Sequence, residues 1–222
     1  MSIPNYYKYL GSGNESSPYR NFDKIKINPI QRWSIFGSSG SGKNNALIYI
    51  ITQMDCWHQI YICARHTEQK LLQVMKNAGC FLTDKITEMP DLDTMNDDGK
   101  NRLFIFDDMQ GSDKTSLAKI TDYYTRARHK KVALMGLFQN YYSIPKICRG
   151  NSDILVVTKI LSVKDLKRML AEYSINDVSI DTIMRLYNEI KRVSPMDFML
   201  IDLAANDPEY RFRRNFQKVK LN

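Results

Sequence analysis

The sequence predicts an α/β chain built on a mostly parallel sheet with helices on both faces. Short apolar runs rich in aromatic and β-branched residues recur at residues 33–36, 60–63, 103–106, 132–138, 154–157 and 198–201. They are apolar at nearly every position rather than at alternate ones, as strands buried on both faces are. Segments with helical start signals lie between them, which is the alternation that parallel strands need for their crossovers.

The elements follow in order. Residues 1–29 mix Gly11, Gly13, Asn14, Ser16, Ser17 and Pro18 with aromatic and basic residues and show no period of 2 or 3.6, so an N-terminal arm is expected there. The body is expected over 30–208. After the first run, residues 45–53 read as a helix. Six acids stand against Lys85 between Asp84 and Asp98, a local charge of −5, and the part from Asp91 to Gly99 reads as a surface loop or insertion. Ser162, with Asp165 three residues on, resembles a capping box before Leu166, Met169 and Leu170. Ser179 opens another helix, with Ile183, Met184, Tyr187 and Ile190 on one face. Residues 209–222 carry Arg211, Arg213, Arg214, Lys218 and Lys220 against Glu209 and are expected as a basic C-terminal tail.

Size and composition narrow the function. A chain of 222 residues fits a prior of one domain of roughly 100–200 residues with small additions. Lysine and arginine number 32 against 24 acids, a net charge of +8, and with the acidic stretch set aside the rest is more basic still. That makes a candidate surface for a polyanion. No apolar run approaches the roughly 18 residues of a spanning helix, and the first residues lack a basic-then-apolar signal pattern, so neither a membrane span nor secretion is expected. Cys56, Cys63, Cys80 and Cys148 show no metal-ligand spacing and are expected as reduced, structural thiols.

The most informative segment follows the first run at once: Gly37-Ser38-Ser39-Gly40-Ser41-Gly42-Lys43, then Asn44 and Asn45 at the start of a helix. Strand, GxxxxGK loop and helix form a phosphate cradle, because glycines let consecutive backbone N–H groups turn toward one anion. The helix dipole adds to this field, and the lysine reaches the outer phosphates of ATP. Asn44 departs from the pattern by standing where a serine or threonine hydroxyl ordinarily meets Mg²⁺. Its carbonyl oxygen is a hard-cation ligand of different reach, so altered Mg²⁺ handling is expected.

The run at 103–106 ends in Asp107 and Asp108. Ligands of open α/β sheets bind outside the carboxyl ends of strands, which places both acids toward the loop. Asp107 is the candidate Mg²⁺ ligand and Asp108 the candidate base for an attacking water. Gln139 follows the next run and is placed to sense a γ-phosphate or to orient water. Just before that run, Arg126 and Arg128 are candidates for stabilising a transferring phosphoryl group from a neighbouring subunit, and physics alone does not choose between them.

Together these segments resemble the FtsK/HerA superfamily of ring-forming DNA-pumping ATPases, and more closely its poxvirus-type viral genome-packaging members, including those of virophages and Polinton elements. The most specific part is Thr125-Arg126-Ala127-Arg128-His129-Lys130 leading to Phe138-Gln139-Asn140-Tyr141-Tyr142-Ser143-Ile144-Pro145-Lys146-Ile147-Cys148-Arg149. The resemblance covers roughly residues 30–215. It implies a RecA/FtsK-HerA-like P-loop NTPase fold and an ATP- and Mg²⁺-dependent translocase that packages double-stranded DNA into a preformed capsid. It also implies a homo-oligomeric ring, commonly a hexamer, at a capsid vertex, with residence in the host cytoplasm or virus factory and in the virion. In that frame Lys43 binds phosphates, Asp107 the metal, Asp108 is the catalytic acid and Gln139 the sensor. Arg128 or Arg126 is the finger, with Arg149 a third candidate. Two other readings share these residues: another small P-loop enzyme such as a helicase or kinase, and an ATP-binding DNA scaffold in which Asn44 has cost turnover.

Overall fold

Each apolar run becomes a strand of one sheet in the computed structural model, which describes residues 19–221 apart from 96, 97, 110, 111, 161, 174, 176 and 177. Among these residues the strands are β1 (Arg32–Phe36), β2 (Gln59–Ala64), β3 (Phe81–Thr83), β4 (Arg102–Asp107), β5 (Val132–Phe138), β6 (Ile154–Val157), β7 (Met199–Asp202), β8 (Phe212–Arg214) and β9 (Gln217–Lys218). Their order is β3-β2-β4-β5-β1-β6-β7-β8-β9. Pairings from β3 to β6 are parallel, and those of β7, β8 and β9 are antiparallel.

Every residue of β4, β5 and β6 is buried, which explains runs without alternation. Alternate side chains feed two cores. Phe104, Phe106, Leu134, Phe138 and Leu155 join one, packed against α4 (Lys114–Arg126), α5 (Lys146–Gly150), α6 (Val163–Glu172) and α7 (Ile180–Val193). Leu103, Ile105, Met135, Leu137 and Val156 join the other, against α1 (Phe22–Ile25), α2 (Lys43–Met54) and α3 (Lys70–Asn77). Side-chain oxygens cap the helix starts: Asp113 accepts from the N–H groups of Thr115 and Ser116, Ser162 from Asp165, and Ser179 from Thr182.

Three expected peripheral segments turn out to be integrated. The arm joins the core from Tyr19 onward: Ile25 and Ile27 are buried, and Tyr19 Oη donates to the Ile27 carbonyl at 3.0 Å. Residues 1–18 lie outside the described residues. The basic tail supplies β8 and β9, which continue the sheet beyond β7 and cover an edge that would otherwise offer unpaired backbone groups. Arg213 is fully buried there, donating to Asp202 at 2.8 Å, to the Tyr210 carbonyl at 2.7 Å and to the Ile25 carbonyl. The acidic stretch is anchored to the body, the expected loop 91–99 through Leu92 and the residues just before it through Ile86 and Met89. Ile86, Met89 and Leu92 are buried, and Tyr123 Oη donates to the Pro90 carbonyl at 2.8 Å. Among its described acids, Asp98 pairs with Arg102 at 2.7 Å and Asp93 with Arg126.

Candidate active site

β1 ends at Phe36 and the chain turns directly into α2. The loop is tied to the strand beyond it: Ser41 Oγ lies 2.8 Å from Thr158 Oγ1, which donates to the Phe36 carbonyl at 2.9 Å. The Ser38 N–H donates to the Lys159 carbonyl at 3.0 Å, and the Ser39–Gly40 tip is exposed. A Cβ on Gly37 would stand 1.9 Å from Thr158 Oγ1 and 2.3 Å from Ser41 Oγ, so only glycine fits. Gly42, at φ 88°, is in the left-handed region that glycine enters without strain and sets Lys43, Asn44 and Asn45 on the first turn of α2. The N–H groups of a first turn have no partner inside their helix and are available to an anion. Lys43 Nζ is folded back onto the loop, donating to the carbonyls of Gly37 at 2.8 Å and Ser38 at 3.1 Å. Burial holds its pKa below the usual lysine range, and Asp107 and Asp108 pull it the other way.

Asp107 closes β4 with 4% of its surface exposed. Burial, reinforced by Asp108, pushes its carboxyl up to about 6, while Lys43 pulls it down. Asp108 follows in left-handed backbone, φ 57°, a conformation that side-chain-bearing residues adopt at a cost and that clusters at functional sites. The strand order decides the rest. β5 lies between β1 and β4, with Phe138 beside Phe36 and Leu137 beside Asp107, so Gln139 emerges between the loop and the acids. The sheet thus brings Gly37 to Asn45, Asp107, Asp108 and Gln139 to one edge.

Gln69, the residue before α3, carries no mark in the sequence yet belongs to this edge. Its Oε1 accepts from Asn44 Nδ2 at 2.6 Å and its Nε2 donates to Asp107 Oδ2 at 3.4 Å. It arrives there because β2 pairs with β4, Ala64 beside Asp107. On the other flank Asn45 Nδ2 lies 3.7 Å from Met196 Sδ.

The three arginines lie elsewhere. Arg126 and Arg128 precede β5, and seven strand residues at about 3.3 Å each put them roughly 20 Å from the carboxyl edge of their own sheet. Arg126 pairs with Asp93 and Asp122, whereas Arg128 is exposed. Arg149 stacks on Tyr141, 4.8 Å from the ring centre, and its Nε lies 3.4 Å from Glu172 Oε1.

A GxxxxGK loop, an acidic strand end and a polar strand end between them, on a parallel sheet in this order, give the arrangement of a P-loop NTPase fold. Residues 61–197, over half of the chain, match the sequence profile of the poxvirus A32 protein family. The chain belongs to that family, the poxvirus-type genome-packaging ATPases. Among solved structures it is similar to the genome-packaging NTPase B204 of Sulfolobus turreted icosahedral virus 2 in complex with ATP-γS, with a TM-score of 0.59 at 13% identity over 87% of this chain and 100% of that one. The sulfate complex of B204 gives 0.55 at 16% identity, over 80% and 94%. The pCW3 conjugation coupling protein TcpA, in its monomer form with ATP-γS, gives 0.51 at 12% identity, over 79% and 58%. At such identities the likeness establishes the fold. No curated protein sequence matches the chain.

Proposed function

We propose that this chain is the motor that uses ATP to drive double-stranded DNA into a preformed capsid. The carrying observation is the convergence of Lys43, Asp107, Asp108 and Gln139 at one sheet edge, in a chain whose family packages genomes. The loop is shaped for the phosphates of a nucleoside triphosphate, and the reading takes ATP as that nucleotide because B204 and TcpA were each solved with its analogue.

In the mechanism the first-turn N–H groups of α2 and the Lys43 ammonium hold the outer phosphates. To do so Lys43 leaves the Gly37 and Ser38 carbonyls, exchanging two neutral acceptors for an anion. The donor set fits Mg²⁺: Asp107 is a buried carboxylate that accepts a long hydrogen bond from Gln69, and Asn44 on the first turn of α2 carries a carbonyl oxygen, a hard-cation ligand. Mg²⁺ of this kind is held jointly by one or two protein ligands and the nucleotide phosphates. When bound, Mg²⁺ neutralises charge on the phosphates. Asp108 accepts the proton of the attacking water, and Gln139 reads the γ-phosphate.

In this reading the finger comes from a neighbouring subunit, which the position of Arg126 and Arg128 at the opposite edge of their own sheet supports. Arg126 is held by two carboxylates and Arg149 by Glu172 and tyrosine, which leaves Arg128 to project. A ring of subunits, with six the commonest number for this architecture, supplies that geometry. DNA is gripped through its phosphates, as a motor indifferent to sequence requires. A capsid protein at one vertex is the docking partner, and the virus factory and the virion are the sites of action. No helix among the described residues is long and apolar enough to cross a membrane.

The test is steady-state ATP hydrolysis with Mg²⁺, with and without long double-stranded DNA, on the unaltered chain and on Lys43→Ala. Hydrolysis that rises with DNA and disappears in Lys43→Ala is expected. Tight ATP binding with no hydrolysis at any DNA concentration would replace the motor with an ATP-binding DNA scaffold.

A further inference from the structure

The loop carries an amide where its pattern ordinarily ends in a hydroxyl, and a second amide stands beside it. Asn44 Nδ2 donates to Gln69 Oε1 at 2.6 Å, and Gln69 Nε2 donates to Asp107 Oδ2 at 3.4 Å. The polarity of this chain is set from one end. A carboxylate only accepts, so Gln69 turns its NH₂ toward Asp107 and presents its carbonyl oxygen to Asn44. That oxygen also only accepts, so Asn44 turns its NH₂ toward Gln69, and its carbonyl oxygen takes no part in that hydrogen bond. Flipping either amide would set two acceptors or two donors against each other.

Gln69 is fixed well enough to impose this order. Its carbonyl accepts from the Gln73 N–H of α3 at 3.0 Å, its own N–H donates to the His66 carbonyl at 3.4 Å, and the Arg65 N–H donates to the Asp107 carbonyl at 3.1 Å. The connection from β2 to α3 is therefore tied to the same strand end that carries the acid. A serine or threonine in position 44 would need no such partner, because a hydroxyl both donates and accepts and rotates to suit its surroundings.

We infer that Gln69 is a positioning residue for metal–nucleotide binding: it fixes the Asn44 amide so that the Asn44 carbonyl oxygen, rather than a hydroxyl, is offered to the Mg²⁺ of bound ATP, and it steadies Asp107 at the same time. The inference deepens the nucleotide and metal reading above and rests on it. It also makes Asn44 and Gln69 a matched pair, in which either residue loses its value without the other.

The experiment measures binding of a fluorescent, slowly hydrolysed ATP analogue in Mg²⁺ and in EDTA, on the unaltered chain, Gln69→Met, Asn44→Thr and the double variant. Gln69→Met keeps the bulk and removes both hydrogen bonds. It is expected to reduce the gain in affinity that Mg²⁺ confers by about tenfold, the scale on which outer partners of metal ligands act, with EDTA affinity and melting temperature unchanged. In the Asn44→Thr background the same change is expected to matter less than about threefold, which marks the two sites as coupled. Gln69→Ala serves as the second variant and should match Gln69→Met. The inference is overturned if the Mg²⁺ gain is unchanged in Gln69→Met, if it falls equally in both backgrounds, if EDTA affinity falls in parallel, or if only one of the two Gln69 variants shows the loss. An unaltered chain that binds no analogue in either condition overturns the nucleotide reading itself, a result distinct from all of these.

Discussion

Asp107 concentrates the electrostatic conflict of the site. Burial and Asp108 raise its carboxyl to about 6, from an ordinary 3.8. An acid raised on folding weakens the fold as pH climbs, because the unfolded chain ionises first, near its ordinary value. The penalty therefore grows between about pH 4 and pH 6 and is complete above that range. Asp107→Asn is expected to stabilise the ligand-free chain at pH 7.5 by up to about 3 kcal/mol and to give no gain at pH 4, while abolishing Mg²⁺-dependent nucleotide binding. Urea unfolding across that range checks the first part, and a gain that did not vary with pH would remove ionisation as its cause. At Gly37 the conflict is steric, since an added Cβ meets the side chains of Thr158 and Ser41, both hydrogen-bonded in place. Gly37→Ala should displace the loop and cut ATP affinity by about tenfold or more, each tenfold being about 1.4 kcal/mol, which direct binding titration will show. The cysteines are at the quiet end of this scale. All four are free thiols, and burial pushes Cys56 and Cys63 up to about 12. They stay protonated and inert at neutral pH.

At the scale of elements, β5 joins the catalytic parts to one another. Gly136 sits in its middle, where a Cβ would come within 2.2 Å of the Phe138 ring and 2.5 Å of Tyr124 Oη. Gly136→Ala is expected to cost about 1–3 kcal/mol in denaturant unfolding, since a close-packed core gives way only by shifting neighbours. An unchanged midpoint would mean that the Phe138 ring moves aside freely. The β7–β8 pair rests on a different interaction. Arg213 is fully buried, and Asp202 neutralises it while Arg213 also anchors the carbonyl of Ile25. Removing one member of a buried pair strands the other, so Asp202→Ala should destabilise by about 3–5 kcal/mol, and replacing both members by apolar residues should cost less than that. The comparison is a two-variant denaturation series. If the double change cost as much as Asp202→Ala, the pair would be stabilising in itself rather than merely costly to break.

At the scale of the whole molecule, the sheet separates the parts of the proposed catalytic cycle. The loop, acids and Gln139 occupy the carboxyl edge, and Arg126 and Arg128 the amino side, so the proposed finger, if it is one of these two, would come from a second copy of the chain. Mixing Arg128→Ala subunits with Asp108→Asn subunits should therefore restore DNA-stimulated hydrolysis that neither variant shows alone, because some interfaces then pair an intact Asp108 with an intact Arg128. An arginine supplied from a neighbour is worth about 10³–10⁵ in rate in related phosphoryl transfers, so even partial rescue stands well above background. Absence of rescue at every mixing ratio would place the finger at Arg126 or Arg149, or within one subunit.

The loop from Gly37 to Lys43, the acids Asp107 and Asp108, Gln139 and the six apolar runs were all legible in the sequence, because each is a local signal: consecutive residues with a spacing that one strand, turn or helix start imposes. The short strands β3, β8 and β9 were not, since two or three residues carry too little pattern to separate them from loop. Nor was the burial of Arg213, whose charge marks it for the surface until Asp202 is brought beside it. Gln69 was invisible for a related reason, because only the pairing of β2 with β4 carries it to Asp107. The sequence by itself determined the fold class, the phosphate loop and the acids that serve it. The tertiary structure alone decided that β5 lies between β1 and β4, that the basic tail is a pair of strands, and that Asn44 has a partner. Strand order and buried charge pairs depend on contacts between residues far apart in the chain, and local spacing carries no record of those contacts.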